Sequence, residues 1–149
     1  MSSINIPEIT AKLLAAKKAK GLSFTDLEKA IGRDEVWIAA VVYRQASASE
    51  DEASKLLHAL DLSNDLMPEL MAPPLKGLGP VVPTDPLIYR FYEMINVYGD
   101  TIKTLIHEEF GNGIMSAIDF SMDISRVADP KGDRVQIVLN GKFLPYKSW

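Results

Sequence analysis

The chain has 149 residues, of which 47% are hydrophobic, and its formal net charge is −4. This length suits one domain or two small ones. The negative charge weighs against a nucleic-acid-binding protein, because phosphates favour a basic surface. There is no cysteine, which excludes disulfides, zinc–thiolate sites and thiol nucleophiles within the chain. No apolar run is long enough to span a membrane and no export signal is visible, so we expect a cytoplasmic protein.

The first 71 residues are predicted to form a compact all-α bundle. Residues 25–28 and 49–52 both have the pattern of a capping box, and Gly21 and Gly32 each follow a predicted helix. Helical periodicity and these signals place the elements at about residues 7–20, 25–31, 34–43 and 49–60, with a short fifth turn near 65–70.

Short helices separated by glycine also resemble the helix-turn-helix units of repressor-like domains. The alternative function is therefore a DNA-binding regulator with a C-terminal oligomerisation domain. Its recognition helix would begin at Arg33-Asp34-Glu35, where two carboxylates would oppose the phosphates. The rest of that helix is almost wholly apolar, which favours a bundle used for packing or assembly.

Residues 72–86 contain five of the nine prolines, together with Gly77 and Gly79. This composition predicts an extended connecting arm with few backbone donors. The predicted organisation is an N-terminal helical bundle at 1–71, the arm at 72–86 and a C-terminal domain at 87–149.

The C-terminal domain is predicted to begin with a pair of helices. Asp85 is a suitable N-cap, and Pro86 suits the first helical position. Arg90 and Glu93 would then share a face, away from an apolar stripe that extends to Tyr98. On spacing alone, such a pair is more often a surface ion pair than a functional site.

The first of the two helices is expected to end or kink at Gly99-Asp100, and the second to continue to Phe110. On this second helix, His107 is predicted to face solvent, and His58 in the N-terminal bundle is expected to be exposed or half-buried. With these two histidines and no cysteine, a metal site would need carboxylates alone, and no loop has the required spacing.

After these helices the apolar period changes from 3.6 to 2, which predicts β-strands. From Ile114 onward the even positions are mainly apolar, and Ser116 falls on that face. Residues 129–132 are predicted as a turn and Asn140-Gly141 as a second, tight turn. Two or three strands are marginal alone, so we expect the small antiparallel unit to pair with another copy of the chain. The predicted fold class is α+β.

Several long motifs occur in order along the second half of the chain: Pro83-Thr84-Asp85-Pro86, Tyr89-Arg90-Phe91-Tyr92-Glu93-Met94, Val97-Tyr98-Gly99, the run from His107 to Phe120, Ala128-Asp129-Pro130 and Asn140-Gly141-Lys142-Phe143-Leu144-Pro145. Together they closely resemble the cyanase family, also termed cyanate hydratases or cyanate lyases. The resemblance spans roughly residues 72–149, whereas the N-terminal helices match that family only in character.

The resemblance implies a lyase that decomposes cyanate with bicarbonate into ammonia and carbon dioxide through carbamate, without metal or organic cofactor. The family's catalytic arginine, glutamate and serine fall on Arg90, Glu93 and Ser116. It further implies a decamer of five dimers with sites at subunit boundaries, so that the C-terminal domain is both catalytic and oligomerising. Such an enzyme would serve cyanate detoxification or nitrogen metabolism.

The chemistry implied by the resemblance suits these three residue types. Cyanate and bicarbonate are both anions, and an arginine can offset their repulsion with a planar set of donors. In this hypothesis Arg90 neutralises the anions, Glu93 orients Arg90, and Ser116 donates a hydrogen bond to the adduct.

Overall fold

A computed structural model describes residues 7–74, 77 and 82–147 of the chain. The chain divides into two compact units, Met1–Gly79 and Pro80–Trp149. The first unit contains short helices, and the second contains one long helix and an antiparallel hairpin, which confirms the predicted α+β class. The expected extended arm at 72–86 falls partly on residues 75–76 and 78–81, which lie outside the described residues.

The first unit is a bundle whose helices each contribute to a single core. Its elements are α1 (Glu8–Ala19), α2 (Phe24–Ile31), α3 (Glu35–Val42), α4 (Glu50–Ala59), a 3-10 turn (Asn64–Leu66) and α5 (Met67–Met71). One fully buried side chain from each helix, in chain order, is Leu13, Leu27, Ile38, Leu57 and Leu70. Burying such a side chain stabilises the fold by about 1.5–3 kcal/mol. The helices predicted for this region are confirmed, with small differences at their ends.

The capping box predicted at residues 25–28 is wrong, because α2 begins earlier. Ser23 is the N-cap, and its hydroxyl accepts a hydrogen bond from the Asp26 amide, while the Asp26 carboxylate accepts one from the Ser23 amide. Thr25 and Glu28 instead contact Glu35 at the start of α3. The Thr25 hydroxyl donates to the Glu35 carboxylate at 2.8 Å, and the Glu35 amide donates to the Glu28 carboxylate at 3.1 Å.

The charged residues at the start of α3 contact other residues of the bundle and do not form a surface suited to DNA. The Asp34 carboxylate caps the helix by accepting from the Val36 amide. The Arg33 guanidinium lies 3.9 Å from the centre of the Trp37 ring and forms an ion pair with Glu52. This arrangement of charges favours packing within the bundle over contact with phosphate.

The second predicted capping box, at the start of α4, is confirmed. The Ser49 amide donates to the Glu52 carboxylate at 2.9 Å, and the Glu52 amide donates to the Ser49 hydroxyl at 3.3 Å. The pKa of Glu52 is lowered mainly by the backbone hydrogen bond from Ser49. The Ser49 hydroxyl and Arg33 lower this pKa further, whereas burial raises it. The folded state therefore favours the ionised form of Glu52.

This lowered pKa predicts an acid-sensitive contribution to stability. A carboxyl group whose folded pKa lies below its unfolded value of 4.5 stabilises the fold fully above that value and loses its contribution as pH falls through the folded pKa. Glutamine keeps an acceptor at this position of the box but removes the charge, so we expect Glu52→Gln to cost about 1 kcal/mol at pH 7 and to flatten the pH dependence of unfolding below pH 4.5. Chemical denaturation between pH 7 and pH 3 measures both effects.

The matched control is Glu50→Gln, which removes a carboxylate from the same first turn and leaves the capping box intact. An equal flattening in both variants would contradict the role given to Glu52.

The second unit begins with a single long helix, α6 (Pro86–Phe110), of 25 residues. Its predicted N-cap is confirmed, since the Asp85 carboxylate accepts from the Leu87 and Ile88 amides at 3.0 and 2.9 Å. The predicted division into a helix pair is wrong. Gly99 lies inside the helix, because one interior glycine costs only about 1 kcal/mol relative to alanine and the helix continues on both sides.

The apolar stripe predicted on α6 is not covered by the described residues of its own unit. No residue of the helix is buried, and 62% of Ile95, for example, is exposed. None of the helices in the described residues is long and apolar enough to cross a membrane. The uncovered stripe is thus an apolar face on a surface helix, a feature that marks interaction sites.

The hairpin consists of β1 (Gly113–Val127) and β2 (Arg134–Pro145), paired antiparallel. The turn predicted at residues 129–132 is confirmed, with the Gly132 amide donating to the Asp129 carbonyl at 3.0 Å. The turn predicted at Asn140-Gly141 is wrong, because both residues lie inside β2 and pair with β1. The Asn-Gly pair is a local turn signal, but here the pairing of two long strands determines the conformation.

Candidate active site

Arg90 and Glu93 lie near the start of α6 and form a direct ion pair. The Nη1 atom of Arg90 is 2.6 Å from Oε2 of Glu93, as their spacing of three residues on one helix allows. The side chains are 64% and 46% exposed, so the pair contributes at most about 1 kcal/mol to stability. The guanidinium has five N–H donors, and donors remain that can bind an anion.

A shallow open groove of about 490 Å³ adjoins Arg90. The wall of this groove is mainly apolar, and Thr84 and Arg90 are among its residues with polar side chains. The lining residues are Val82, Pro83, Thr84, Pro86, Tyr89 and Arg90. The sequence motifs that surround Arg90 thus form a concave surface at its side chain.

Ser116 lies in a wide bulge of β1. The strands pair as far as Met115 with Phe143 and resume at Phe120 with Gly141, so the four residues 116–119 lie opposite a single residue of β2. This bulge breaks the alternation that the sequence predicts. Ser116 is buried, with 6% exposed, whereas Ile118, predicted on the same apolar face, is 89% exposed.

The Ser116 hydroxyl is held as an acceptor inside the bulge. Its Oγ accepts from the Ile118 amide at 3.0 Å and from the Asp119 amide at 2.9 Å. Both lone pairs are therefore used, and the O–H proton is left to donate. Within the described residues, no histidine or carboxylate side chain bonds this hydroxyl, so the geometry suits a hydrogen-bond donor better than an activated nucleophile.

The junction between α6 and β1 is fixed by a residue that the sequence predicts to face solvent. His107 is half-buried, and its Nε2 lies 3.0 Å from the Gly113 carbonyl oxygen. The Tyr146 amide donates to the Asn112 carbonyl at 3.0 Å and closes the same junction. This contact was not predicted from the sequence. The available signal was the position of His107, one helical turn before Gly111, where the helix ends.

The fold brings two of the three predicted site residues together. Arg90 and Glu93 touch, whereas the hydrogen bonds of Ser116 are to its own bulge. Helix α6 is continuous from Arg90 to Phe110, a distance of about 30 Å at ~1.5 Å per residue. Ser116 follows shortly after the end of this helix, so one chain by itself places the hydroxyl and the guanidinium at different ends of α6.

A metal ion would need several carboxylate or histidine side chains close together. In the part of the chain that the structure describes, no group of three or more such side chains is placed to hold a metal. The functional groups at the two positions described above are thus a guanidinium, a carboxylate and a hydroxyl.

Both units match sequence models of known protein families. Residues 7–74 match the model described as the N-terminal part of cyanate hydratase, and residues 80–148 match the model described as the cyanate lyase C-terminal domain. These two matches cover most of the chain.

Whole-chain relatives agree with the family models. The cyanate hydratase of a Synechocystis species is 70% identical over 149 residues, which is the full length of both chains. That of Acaryochloris marina is 65% identical over 145 residues, 97% of this chain and 99% of its own. Among solved structures, the cyanase from T. urticae has a TM-score of 0.83 and 36% identity, and the match covers 93% of this chain and 97% of that one.

The α+β fold and these matches together define an enzyme of the lyase class. The chain belongs to the cyanate hydratase family. The resemblance noted in residues 72–149 is confirmed and extends through the N-terminal helices, which sequence reasoning matched only in character.

Proposed function

We propose that the protein decomposes cyanate in a bicarbonate-dependent reaction that yields ammonia and carbon dioxide through carbamate. Family membership supports cyanate as the substrate. The observation that carries the rest is the Arg90–Glu93 pair, an exposed guanidinium braced by a carboxylate at 2.6 Å beside a groove.

The reaction begins when a bicarbonate oxygen attacks the cyanate carbon. The C–O bond that forms gives a dianionic adduct, and cleavage of the original bicarbonate C–O bond releases carbon dioxide. With one proton taken up, the remaining fragment is carbamate, and a second proton allows its C–N bond to break into ammonia and carbon dioxide. No side-chain nucleophile is needed, so the protein must supply positioning and charge stabilisation.

We assign to Arg90 the role of offsetting the negative charge of the two reacting anions. Two unit charges at ~4 Å repel each other by ~4 kcal/mol at an effective dielectric constant of ~20. A guanidinium remains protonated and offers a rigid planar set of N–H donors, so it can bind oxygens of both anions and of the adduct. A lysine would place its charge at one point and could not span both.

Glu93 is assigned orientation of Arg90 rather than contact with substrate. A bare carboxylate beside two anions would repel them, whereas one bound to Nη1 of Arg90 holds the guanidinium in one direction. Its negative charge also balances the site when the substrates have left.

Ser116 is assigned a hydrogen bond to the adduct. Because its Oγ already accepts two backbone N–H groups, its hydroxyl proton is directed toward another acceptor. An oxygen or the nitrogen of the adduct can be that acceptor, and the interaction is strongest where negative charge develops.

The complete site requires more than one chain, and we propose a decamer built from five dimers. Within a single chain, Arg90 lies near the start of α6 and Ser116 follows its end, and the helix rises ~30 Å from Arg90 to Phe110. In addition, α6 buries none of its residues. Partner chains would cover the apolar stripe of α6, pair with the hairpin and bring Ser116 to an Arg90 of another chain. The division at 1–71, 72–86 and 87–149 then separates a packing bundle, a connecting arm and a catalytic, oligomerising domain.

The remaining parts of the proposal concern cofactors, location and role. We propose that bicarbonate is a co-substrate and that no metal or organic cofactor takes part. We also propose that the enzyme acts in the cytoplasm, binds neither nucleic acid nor membranes, and serves cyanate detoxification or nitrogen metabolism.

The direct test is ammonia release from cyanate by the purified protein, with and without added bicarbonate. We expect turnover to fall to near background when bicarbonate is removed by degassing at mildly acidic pH and to return when it is added. Prior treatment with a chelator is expected to leave the rate unchanged. Ammonia release that is independent of bicarbonate, or is lost with the chelator, would contradict the corresponding part of the mechanism.

A further inference from the structure

The bulge that carries Ser116 packs against a glycine of the opposite strand. Gly141 pairs with Phe120, at the point where regular pairing of β1 and β2 resumes. A Cβ atom on Gly141 would overlap the carbonyl oxygen of Ser116 and would lie 2.7 Å from Cγ of Met115. Such contacts are closer than side chains adopt, so a larger residue at this position must displace β1.

Backbone conformation does not explain the glycine. Gly141 is not among the residues with positive φ, whereas Gly111 and Gly132 are. An L-residue could therefore adopt the local conformation of Gly141, and the requirement for glycine comes from the space taken by the Ser116 peptide.

We propose that Gly141 is a positioning residue for the Ser116 hydroxyl, an inference that rests on the function proposed for Ser116. The missing side chain allows the Ser116 carbonyl to lie against β2. With the carbonyl in that place, the Ser116 Oγ reaches the Ile118 and Asp119 amides. A displaced carbonyl would move the hydroxyl of the same residue and alter the direction of its free proton.

The bulge itself is costly, which supports a functional reason for it. Four residues of β1 face one residue of β2, so ladder hydrogen bonds are lost over this stretch. Bulges are used beside active sites to redirect a side chain, and here the residue that the bulge buries is Ser116. Gly141 is the residue of β2 that gives this bulge its room.

The test compares Gly141→Ala with Gly99→Ala, each in the wild-type and the Ser116→Ala background. Gly99 is the matched control, because its φ is also not positive and an added Cβ would have Ile95 at an ordinary 3.9 Å. We expect Gly141→Ala to lower kcat about 100-fold, since a displacement of about 1 Å in a site has that effect. The KM for cyanate should change less than kcat, and Gly99→Ala should stay within about twofold.

The Ser116→Ala background separates positioning from general damage. If Gly141 acts through Ser116, Gly141→Ala should lower the rate of Ser116→Ala by no more than about threefold, because residues that act as a unit are not additive. An equal loss in both backgrounds would overturn the inference, as would wild-type kcat in a folded Gly141→Ala protein. Wild-type activity in Ser116→Ala alone would instead refute the role proposed for Ser116, and with it the inference.

A milder variant keeps the test valid if Gly141→Ala does not assemble. Met115→Leu keeps the side-chain volume nearly unchanged but adds a branch at Cγ, the atom that faces Gly141, and such exchanges usually cost less than about 1.5 kcal/mol. We expect a several-fold loss of kcat that disappears in the Ser116→Ala background. Full activity of Met115→Leu, or the same loss in both backgrounds, would overturn the inference.

Discussion

Replacing Arg90 by lysine is expected to lower kcat for bicarbonate-dependent ammonia release by about 1,000-fold while leaving fold and oligomer unchanged. Lysine preserves the positive charge but loses the planar donor set that can hold two anions and bind Glu93 together. Losing one preorganised donor to a developing oxyanion already costs about 100- to 1,000-fold. Steady-state ammonia release, circular dichroism and analytical ultracentrifugation measure the three quantities.

The control for this substitution is Arg126→Lys. Arg126 is also exposed and also paired, with Asp133 at 3.4 Å, but it lies at the turn end of the hairpin, away from the proposed site. It should retain turnover within about twofold. Undiminished turnover in a folded Arg90→Lys protein would remove Arg90 from the mechanism.

Replacing Ser116 by alanine is expected to reduce kcat by about 100- to 1,000-fold, with a smaller effect on KM, because the hydrogen bond is strongest to the charge that develops in the adduct. Ser125→Ala is the matched control. Ser125 lies on the same strand and its hydroxyl donates to the side chain of Gln136 at 3.3 Å, so its loss should leave the rate within about twofold. A Ser116→Ala enzyme with normal kcat would contradict the assignment.

The two inactive variants also test whether a site is shared between chains. Arg90→Lys and Ser116→Ala chains are denatured together, refolded as a mixture and assayed. If each site combines Arg90 of one chain with Ser116 of another, some sites in mixed particles contain both native residues, and activity should rise well above that of either variant. No recovery in mixed particles of native size would indicate that both residues of a site come from one chain.

The N-terminal bundle was predictable from sequence because its signals are local. Periodic leucines and isoleucines, Gly32 as a C-cap and the Ser49–Glu52 box each act over a few residues. One cap differs from its prediction: the N-cap is Ser23, two residues before the predicted Thr25. The box is closed there by Asp26, whose side chain is shorter than that of the expected glutamate.

The second unit was harder to predict, since distant pairing overrides its local signals. Gly99 looks like a helix end, but the helix continues through it. Asn140-Gly141 looks like a turn, yet Gly141 serves as the partner of a bulge some twenty residues earlier in the chain. No local rule shows that a glycine is needed for the carbonyl of Ser116.

The candidate site was predictable as residue types and not as geometry. The spacing of Arg90 and Glu93 on one helix implied their contact, and the structure has it at 2.6 Å. Their choice as site residues, and that of Ser116, came from the family resemblance and stays a prediction. The burial of Ser116 and the two amides that bond it depend on a bulge that periodicity cannot indicate.

The absence of buried residues along α6 affects how the protein reaches its native state. The first unit has a closed core made from neighbouring segments, so it can fold while the rest of the chain is still being synthesised. Helix α6 has no such core among the described residues of its own unit, and in the decamer proposed above it would gain its main stabilisation only upon meeting other copies. On that proposal, maturation of the second unit is at least second order in chain concentration, and dilution should delay the appearance of activity long after the bundle has formed.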